Sequence, residues 1–165
     1  MFRSYVAAAL SPLCITESPL ANSGQFVLFR IGDTSYLVPG SATVAIEKRD
    51  NLSTEDSNRG GVCAWRTTGD QRWPVYLLDA RLRPSGSGHW ERAIFLPARP
   101  QPVGIAATAV QLLPQNEVSP VPFRPLGPPP AGGGHLFNAA WVHDTNVILV
   151  FDPATLALFL LNRAD

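Results

Sequence analysis

Two apolar segments with the alternation of β-strands meet at a Gly-Asp pair near the start of the chain. In residues 26–39 (FVLFRIGDTSYLVP), alternate positions fall on opposite faces of an extended chain, and both faces carry apolar side chains. Gly32 accepts the positive φ that a two-residue hairpin turn requires. The pattern predicts a β-hairpin that opens an all-β domain.

Short apolar segments separated by turns continue along the rest of the chain. We predict further strands at residues 43–46, 61–66, 72–78, 92–96, 103–107, 110–113, 141–143 and 147–151. Residues 47–61 are predicted to be a polar loop. The proline-rich residues 114–130 are predicted to be a second loop, because proline cannot donate a hydrogen bond to a sheet ladder. Many short strands at close spacing indicate a barrel architecture.

Helical patterns occur at both ends of the chain. Near the N terminus, apolar residues recur at helical spacing at Phe2, Tyr5, Val6, Ala9, Leu10 and Leu13. They predict a short amphipathic helix that ends at Pro12. Near the C terminus, Asp152 is a good helix cap and Pro153 suits the first helical position. Residues 154–162 are therefore predicted to close the chain as a short helix, apolar nearly all round and packed on the barrel.

The composition indicates a folded chain rather than a disordered one. Of its 165 residues, 45% are apolar and 16% are charged, which argues against disorder. This length suits one domain, or two small barrels that share a core. We expect residues 1–23 to form an N-terminal extension and residues 24–163 to form the folded domain. The apolar run at the start is too short for a secretory signal and is broken by Pro12.

The charge balance excludes two classes of partner. Thirteen basic residues match thirteen acidic ones, so the chain offers no electrostatic footprint for nucleic acid or for an anionic membrane surface. No apolar run approaches the length that spans a bilayer. We therefore expect a cytoplasmic protein that binds no nucleic acid and does not insert into a membrane.

The residues that usually carry chemistry are few and scattered. Cys14 and Cys63 are too few and too far apart for a disulfide framework or a metal knuckle. His89, His135 and His143 fall in or near glycine-rich and turn segments and lack metal-ligand spacing. No serine or cysteine lies in an elbow-like turn that would make it a nucleophile. We predict no catalytic residue, no metal site and no cofactor.

Five segments, in this order, resemble the CheW-like domain, the coupling module of bacterial chemotaxis. They are residues 25–39 (QFVLFRIGDTSYLVP), 61–66 (GVCAWR), 73–75 (WPV), 103–113 (VGIAATAVQLL) and 147–160 (VILVFDPATLALFL). The resemblance covers about residues 25–161. It implies a mainly β fold of two small, five-stranded, SH3-like β-barrels packed together, with short terminal helices and no active site.

The resemblance also implies a function and two partners. Proteins of this family are adaptors in two-component signal transduction, in chemotaxis or in type IV pilus chemosensory systems. One surface meets a CheA-type histidine kinase, barrel end against barrel end. A groove between the barrels takes the cytoplasmic tip of a methyl-accepting chemoreceptor.

Departures from the family pattern indicate a divergent or accessory member. The family's arginine is kept as Arg66, but Thr67 stands where a glycine is usual, and Thr108 stands where an aspartate is usual. An acidic residue expected after the first hairpin is displaced to Glu47.

Arg66 is the leading candidate for partner binding. A guanidinium beside an exposed turn can make a forked contact with carboxylates or backbone carbonyls, a geometry that lysine cannot copy. The alternative is a structural arginine that pairs with Asp70 or Asp79 at the turn.

The other candidates for protein binding lie near Arg66 or after the first hairpin. Gly61 and Val62 begin the same predicted strand as Arg66. A glycine at position 61 allows close approach of another backbone; the alternative is that it simply ends the polar loop. Trp65 suits either an interface anchor or the core. By resemblance, Thr43 and Val44 face the kinase or the receptor; the alternative is an ordinary edge strand.

Two other interpretations of the chain stay open at this stage. In the first, Trp65, Trp73 and Tyr76 line a barrel cleft that binds a small molecule or a peptide. In the second, residues 124–128 (RPLGP) form a basic, proline-rich docking peptide, rather than a plain connection. An enzymatic interpretation would depend on scattered histidines and aspartates without a nucleophile.

Overall fold

A computed structural model describes residues 24–57, 60–129 and 134–162. In chain order its strands and helix are β1 (Gln25–Ile31), β2 (Thr34–Pro39), β3 (Ala45–Lys48), β4 (Val62–Thr68), β5 (Gln71–Tyr76), β6 (Arg92–Leu96), β7 (Val103–Ala107), β8 (Ala109–Pro114), β9 (Val121–Pro122), β10 (Phe137–His143), β11 (Asn146–Phe151) and α1 (Pro153–Leu161). The predicted N-terminal helix and Cys14 lie outside the described residues. The described residues include no helix with the length and apolar character needed to cross a bilayer.

The strands form two sheets that are mostly antiparallel. The first sheet has the order β8-β1-β2-β11-β10-β9, and the second has the order β3-β6-β7-β5-β4. One parallel pair occurs in each sheet, β2 with β11 and β5 with β7. Strands from both ends of the chain therefore build the first sheet, while the central residues build the second.

The opening hairpin is confirmed. Strands β1 and β2 pair in register from Ile31 and Thr34 at the turn to Phe26 and Pro39 at the far end. Gly32 has the positive φ, 58°, that the two-residue turn requires.

Strands at the junction of the two sheets are apolar on both faces, because each face packs against a different core. In β1, Val27 and Phe29 face a core that the two sheets share, whereas Phe26 and Leu28 pack inside the first barrel. The second sheet repeats this arrangement, with alternate side chains of β6 in the shared core and in the interior of the second barrel. The period-two pattern of the sequence thus specifies two barrels packed together.

The second barrel is closed by contacts between its edge strands. The backbones of Ser53, which follows β3, and Trp65, on β4, exchange two hydrogen bonds of 2.9 and 2.7 Å. An ion pair between Glu47 on β3 and Arg66 on β4 lies beside them. These contacts join the two ends of the five-stranded sheet.

The C-terminal helix is confirmed, with its cap. The Thr155 backbone N–H donates to Oδ1 of Asp152 at 2.8 Å, and Pro153 is the first helical residue. Leu156 and Leu160 are buried in the shared core, so α1 covers the junction of the barrels.

Two predicted loops contain more structure than the sequence indicated. The strand predicted at residues 43–46 lies at Ala45–Lys48, and a short 3-10 turn follows at Arg49–Asn51. In the proline-rich region, β9 adds a sixth strand to the first sheet by pairing with β10. A proline is tolerated in β9 because this strand is at the sheet edge, where a missing N–H leaves no ladder bond unmade.

Candidate protein-binding site

Arg66 is held by contacts within the chain. Its Nη2 lies 2.8 Å from Oε1 of Glu47. Its guanidinium carbon lies 4.8 Å from the ring centre of Trp73 and 5.6 Å from that of Phe95. The predicted pairing of Arg66 with Asp70 or Asp79 is wrong. The carboxylate that pairs with Arg66 comes from the opposite edge of the sheet. The Arg66 side chain is still 26% exposed, which leaves part of the guanidinium accessible.

Gly61 and Val62 serve the packing of the second barrel. Gly61 has a φ of 80°, and a Cβ added there would collide with the ring of Pro84. Its carbonyl accepts a hydrogen bond of 3.1 Å from the Leu77 N–H. Val62 is buried in the shared core. The close approach expected at Gly61 is therefore made by this chain's own Pro84.

Trp65 lies half-buried on β4 under a second arginine. The guanidinium carbon of Arg72 lies 4.7 Å from the Trp65 ring centre. Arg72 also contacts Oδ2 of Asp56 at 3.5 Å and the Glu55 carbonyl at 3.2 Å. The Trp65 indole N–H is buried and finds no acceptor among the residues that the structure describes. One face of this tryptophan is thus covered by a charged, partly exposed cluster.

Thr43 and Val44 lead into β3 at the edge of the second sheet. Thr43 is buried, and its hydroxyl donates to the Pro39 carbonyl at 3.5 Å. The Val44 N–H donates to the Phe95 carbonyl at 2.8 Å, and its half-buried side chain packs on the interior of the second barrel. Val44 and Arg66 therefore both contact Phe95, whereas Thr43 is turned into the fold.

The two tryptophans of the predicted small-molecule cleft do not share one open cleft. Trp73 is buried among the residues of the second barrel interior, and Tyr76 lies in the shared core. The Trp73 indole N–H donates to Oε1 of Gln71 at 3.2 Å. Trp65 packs against the shared core instead. The aromatic set of that interpretation is divided between two cores.

A cleft that the sequence did not reveal lies where the two sheets meet. It has a volume of about 200 Å³. Buried apolar residues line its base, among them Ile31 from the first sheet, Ala106 from the second, and Leu78 from the segment after β5. Exposed polar residues, including Ser87 and His89, line its rim. These residues are distant in sequence, so only the packing of the barrels brings them together.

Hydrogen bonds fix the walls of this cleft. Oδ1 of Asp79 accepts from the backbone N–H groups of Arg81 and Arg83 at 2.8 and 2.9 Å. The Arg83 N–H is the main cause of a lowered pKa of the Asp79 carboxyl. On the opposite wall, the Thr108 hydroxyl lies within hydrogen-bond distance of the Arg30 and Gly32 carbonyls, at 3.4 and 3.3 Å. The cleft is therefore preformed.

The acidic, histidine and cysteine side chains are dispersed. Within residues 24–57, 60–129 and 134–162, no group of three or more of them could hold a metal ion. The contacts between a histidine and a carboxylate, His89 with Glu91 and His143 with Asp144, are exposed, with distances of 3.3 and 3.7 Å. We assign no metal or cofactor to any of these side chains.

Comparison with known proteins bears on the fold of this chain. No protein-family model matches the chain, and no curated protein matches its sequence. Among solved structures, the scaffolding protein TtCheW from Thermoanaerobacter tengcongensis is similar, with a TM-score of 0.53 and 17% identity. The similarity covers 81% of this chain and 91% of TtCheW. At this identity the likeness concerns the fold, and it confirms the predicted CheW-like architecture of two packed SH3-like barrels.

Proposed function

We propose that this protein is a non-enzymatic adaptor that couples methyl-accepting chemoreceptors to a CheA-type histidine kinase in the cytoplasm. The observation that carries the proposal is the twin-barrel fold, shared with a scaffolding protein over 81% of this chain and 91% of the other. The segments that resemble the CheW-like domain occur in the same order along this fold. Chemotaxis and type IV pilus chemosensory systems are the two settings that suit such an adaptor.

The cleft between the barrels is the proposed contact for the receptor tip. Pockets for free small molecules usually enclose about 300–1,000 Å³, whereas this cleft encloses about 200 Å³. It has room for one or two side chains of a partner, with apolar groups at the base and polar groups at the rim. This size favours a protein partner over the alternative of a small-molecule binding barrel.

The second barrel is the proposed contact for the kinase. Trp65, Arg66 and Val44 keep accessible surface there, and they are the proposed direct contacts. Arg66 uses part of its five-donor guanidinium for Glu47, and the remaining donors can reach a carboxylate or a carbonyl of a partner. Gly61, Val62 and Thr43 hold this surface in shape through their own packing.

Binding of the full-length chain to a purified CheA-type kinase and to a receptor tip fragment tests the proposal. Ser87→Trp places a large side chain at the rim of the cleft, where the backbone of Ser87, not its hydroxyl, bonds to Ser85. We expect this variant to lose the receptor fragment and to keep the kinase. Asn116→Trp, in the exposed 3-10 turn Gln115–Glu117 that follows β8, is the matched control and should keep both.

The proposal requires that the full-length chain bind both the kinase and the receptor fragment. Failure to bind one of them would overturn it. A thermal-shift screen with small molecules separates the alternative, because a ligand of the folded state raises the melting temperature by mass action. A ligand that is displaced by Ser87→Trp would favour the small-molecule interpretation.

A further inference from the structure

Three valines form an exposed apolar patch on the outer face of the first barrel. Val142 and Val147 lie directly opposite each other in the β10–β11 pair. Val121 on β9 lies opposite Ala140, which is two residues from Val142 and so on the same face. The exposed fractions of Val121, Val142 and Val147 are 66%, 63% and 64%. We call these three residues the outer valine patch.

The outer valine patch is more than a set of scattered surface residues. Single exposed apolar side chains are ordinary, but adjacent ones on one face mark a surface that something covers. The patch continues along the chain to Phe123, which is also exposed and whose N–H donates to the Asn138 carbonyl at 3.0 Å. The sheet thus presents an apolar strip that runs across three neighbouring strands.

The chain enters the fold beside the segment that leads to this patch. The Gln115 N–H donates to the Gly24 carbonyl at 2.8 Å, and Gln115 begins the connection from β8 to β9. Gly24 therefore lies beside the first residue of the connection that leads to β9. The ten residues from 14 to 23 can span at most about 33 Å, which is comparable to the width of a small domain.

The sequence of residues 2–13 suits an apolar surface. It carries apolar residues at helical spacing, and Arg3 is its one charged residue. We propose that residues 2–13 dock on the outer valine patch of their own chain as an amphipathic helix, with Val6 and Leu10 on the contacting side. Burial of the valines and of the helix face drives the contact. This contact does not depend on the adaptor function.

A spin label on the native Cys14 tests the contact in the full-length chain. The chain carries Cys63→Ala, so that Cys14 is the only thiol, and valine methyl groups are isotopically enriched. We expect the methyl signals of Val121, Val142 and Val147 to lose intensity when the nitroxide is present and to recover when it is reduced. Val75, in the interior of the second barrel, should keep its signal.

Two variants of the segment and one mixing experiment complete the test. Val6→Asp with Leu10→Asp should restore the three valine signals, whereas Ala7→Asp with Ser11→Asp, on the other side of the helical pattern, should leave their loss unchanged. An absence of signal loss in the labelled chain overturns the proposal. Signal loss that occurs only when labelled, unenriched chain is mixed with unlabelled, enriched chain also overturns it, since the occupant is then a second copy.

Discussion

Arg66 and Glu47 join the two edge strands of the second sheet, 2.8 Å apart at Nη2 and Oε1. Each belongs to a strand at the end of the order β3-β6-β7-β5-β4, so their ion pair spans the gap across which the sheet closes. The Trp73 and Phe95 rings lie under the guanidinium. Arg66, which was predicted to bind a partner, thus also stabilises the closure of the barrel.

Replacement of Arg66 should weaken the fold. Arg66→Ala removes a partly buried ion pair and two cation–π contacts, and we expect a loss of about 2 kcal/mol in the free energy of unfolding. Arg66→Glu should cost more, because it places a second carboxylate beside Glu47. Arg99→Glu, on an exposed residue of the β6–β7 connection, has the same change in charge and should cost little. Urea unfolding measures all three.

The charge swap separates the structural role of Arg66 from the proposed binding role. Arg66→Glu combined with Glu47→Arg restores opposite charges across the barrel closure, so this double variant should be more stable than Arg66→Glu alone. If Arg66 contacts the kinase directly, Arg66→Glu loses kinase binding. The double variant should then regain stability without regaining kinase binding. Stability losses that simply add would contradict the ion pair as a coupling between the edge strands.

Gly104 is a second test of the barrel interior. A Cβ added to Gly104 on β7 would lie 2.9 Å from Cε1 of Phe95 and 3.0 Å from Cγ2 of Val75. Both contacts are too short for a packed core, so Gly104→Ala should lower the free energy of unfolding by about 1–3 kcal/mol. Gly86→Ala is the control, because no atom outside its chain neighbours lies within 4 Å of the added Cβ. Equal effects of the two substitutions would contradict this packing.

The parts of the fold that the sequence predicted are those encoded locally. The two-faced alternation of residues 26–39 and the Asp152 cap each depend on neighbours a few residues apart. Both faces of residues 26–39 carry apolar side chains in the sequence, and in the structure the two faces pack in two different cores. Strand β9 was missed because two residues are too few for any period to be recognised.

The site was harder to predict because its contacts depend on strand order. Arg66 and Glu47 are near each other only because the sheet closes on itself, and two aspartates closer to Arg66 in the sequence were the natural expectation. The role of Gly61 depends on Pro84, which is also distant from it along the chain. The cleft needs Ile31 from one sheet and Ala106 from the other. Composition and spacing carry no signal for such pairings.

Asp79 gives a prediction about pH. Backbone N–H groups of Arg83 and Arg81 hold the pKa of its carboxyl below the usual range. A carboxyl whose pKa is lower in the folded state stabilises the fold above its unfolded pKa, and this contribution is lost as the pH falls through the folded pKa. Asp79→Ala should therefore be less stable than the wild type at neutral pH, and the difference should shrink in acid.

Urea midpoints at neutral pH and at a pH below the ordinary aspartate pKa measure this difference. Asp70→Ala, in the β4–β5 turn, is the control for loss of an aspartate from a surface turn. A gap between wild type and Asp79→Ala that stays constant with pH would contradict the role of the Asp79 carboxylate in the cleft wall.

Cys63 is predicted to be an unreactive thiol in the folded protein. Burial raises its pKa from 9.0 to about 12, and only the thiolate is nucleophilic. In a Cys14→Ser chain at mildly alkaline pH, alkylation by iodoacetamide should therefore be roughly a thousandfold slower in the folded protein than in urea, since each pKa unit changes the thiolate fraction about tenfold. As the pH rises, the rate in urea should level off near the ordinary thiol pKa, whereas the rate in the folded chain should still be rising there. Equal rates in the two states would mean that Cys63 is exposed to solvent in most of the folded molecules, and that the ends of the second sheet are not held closed.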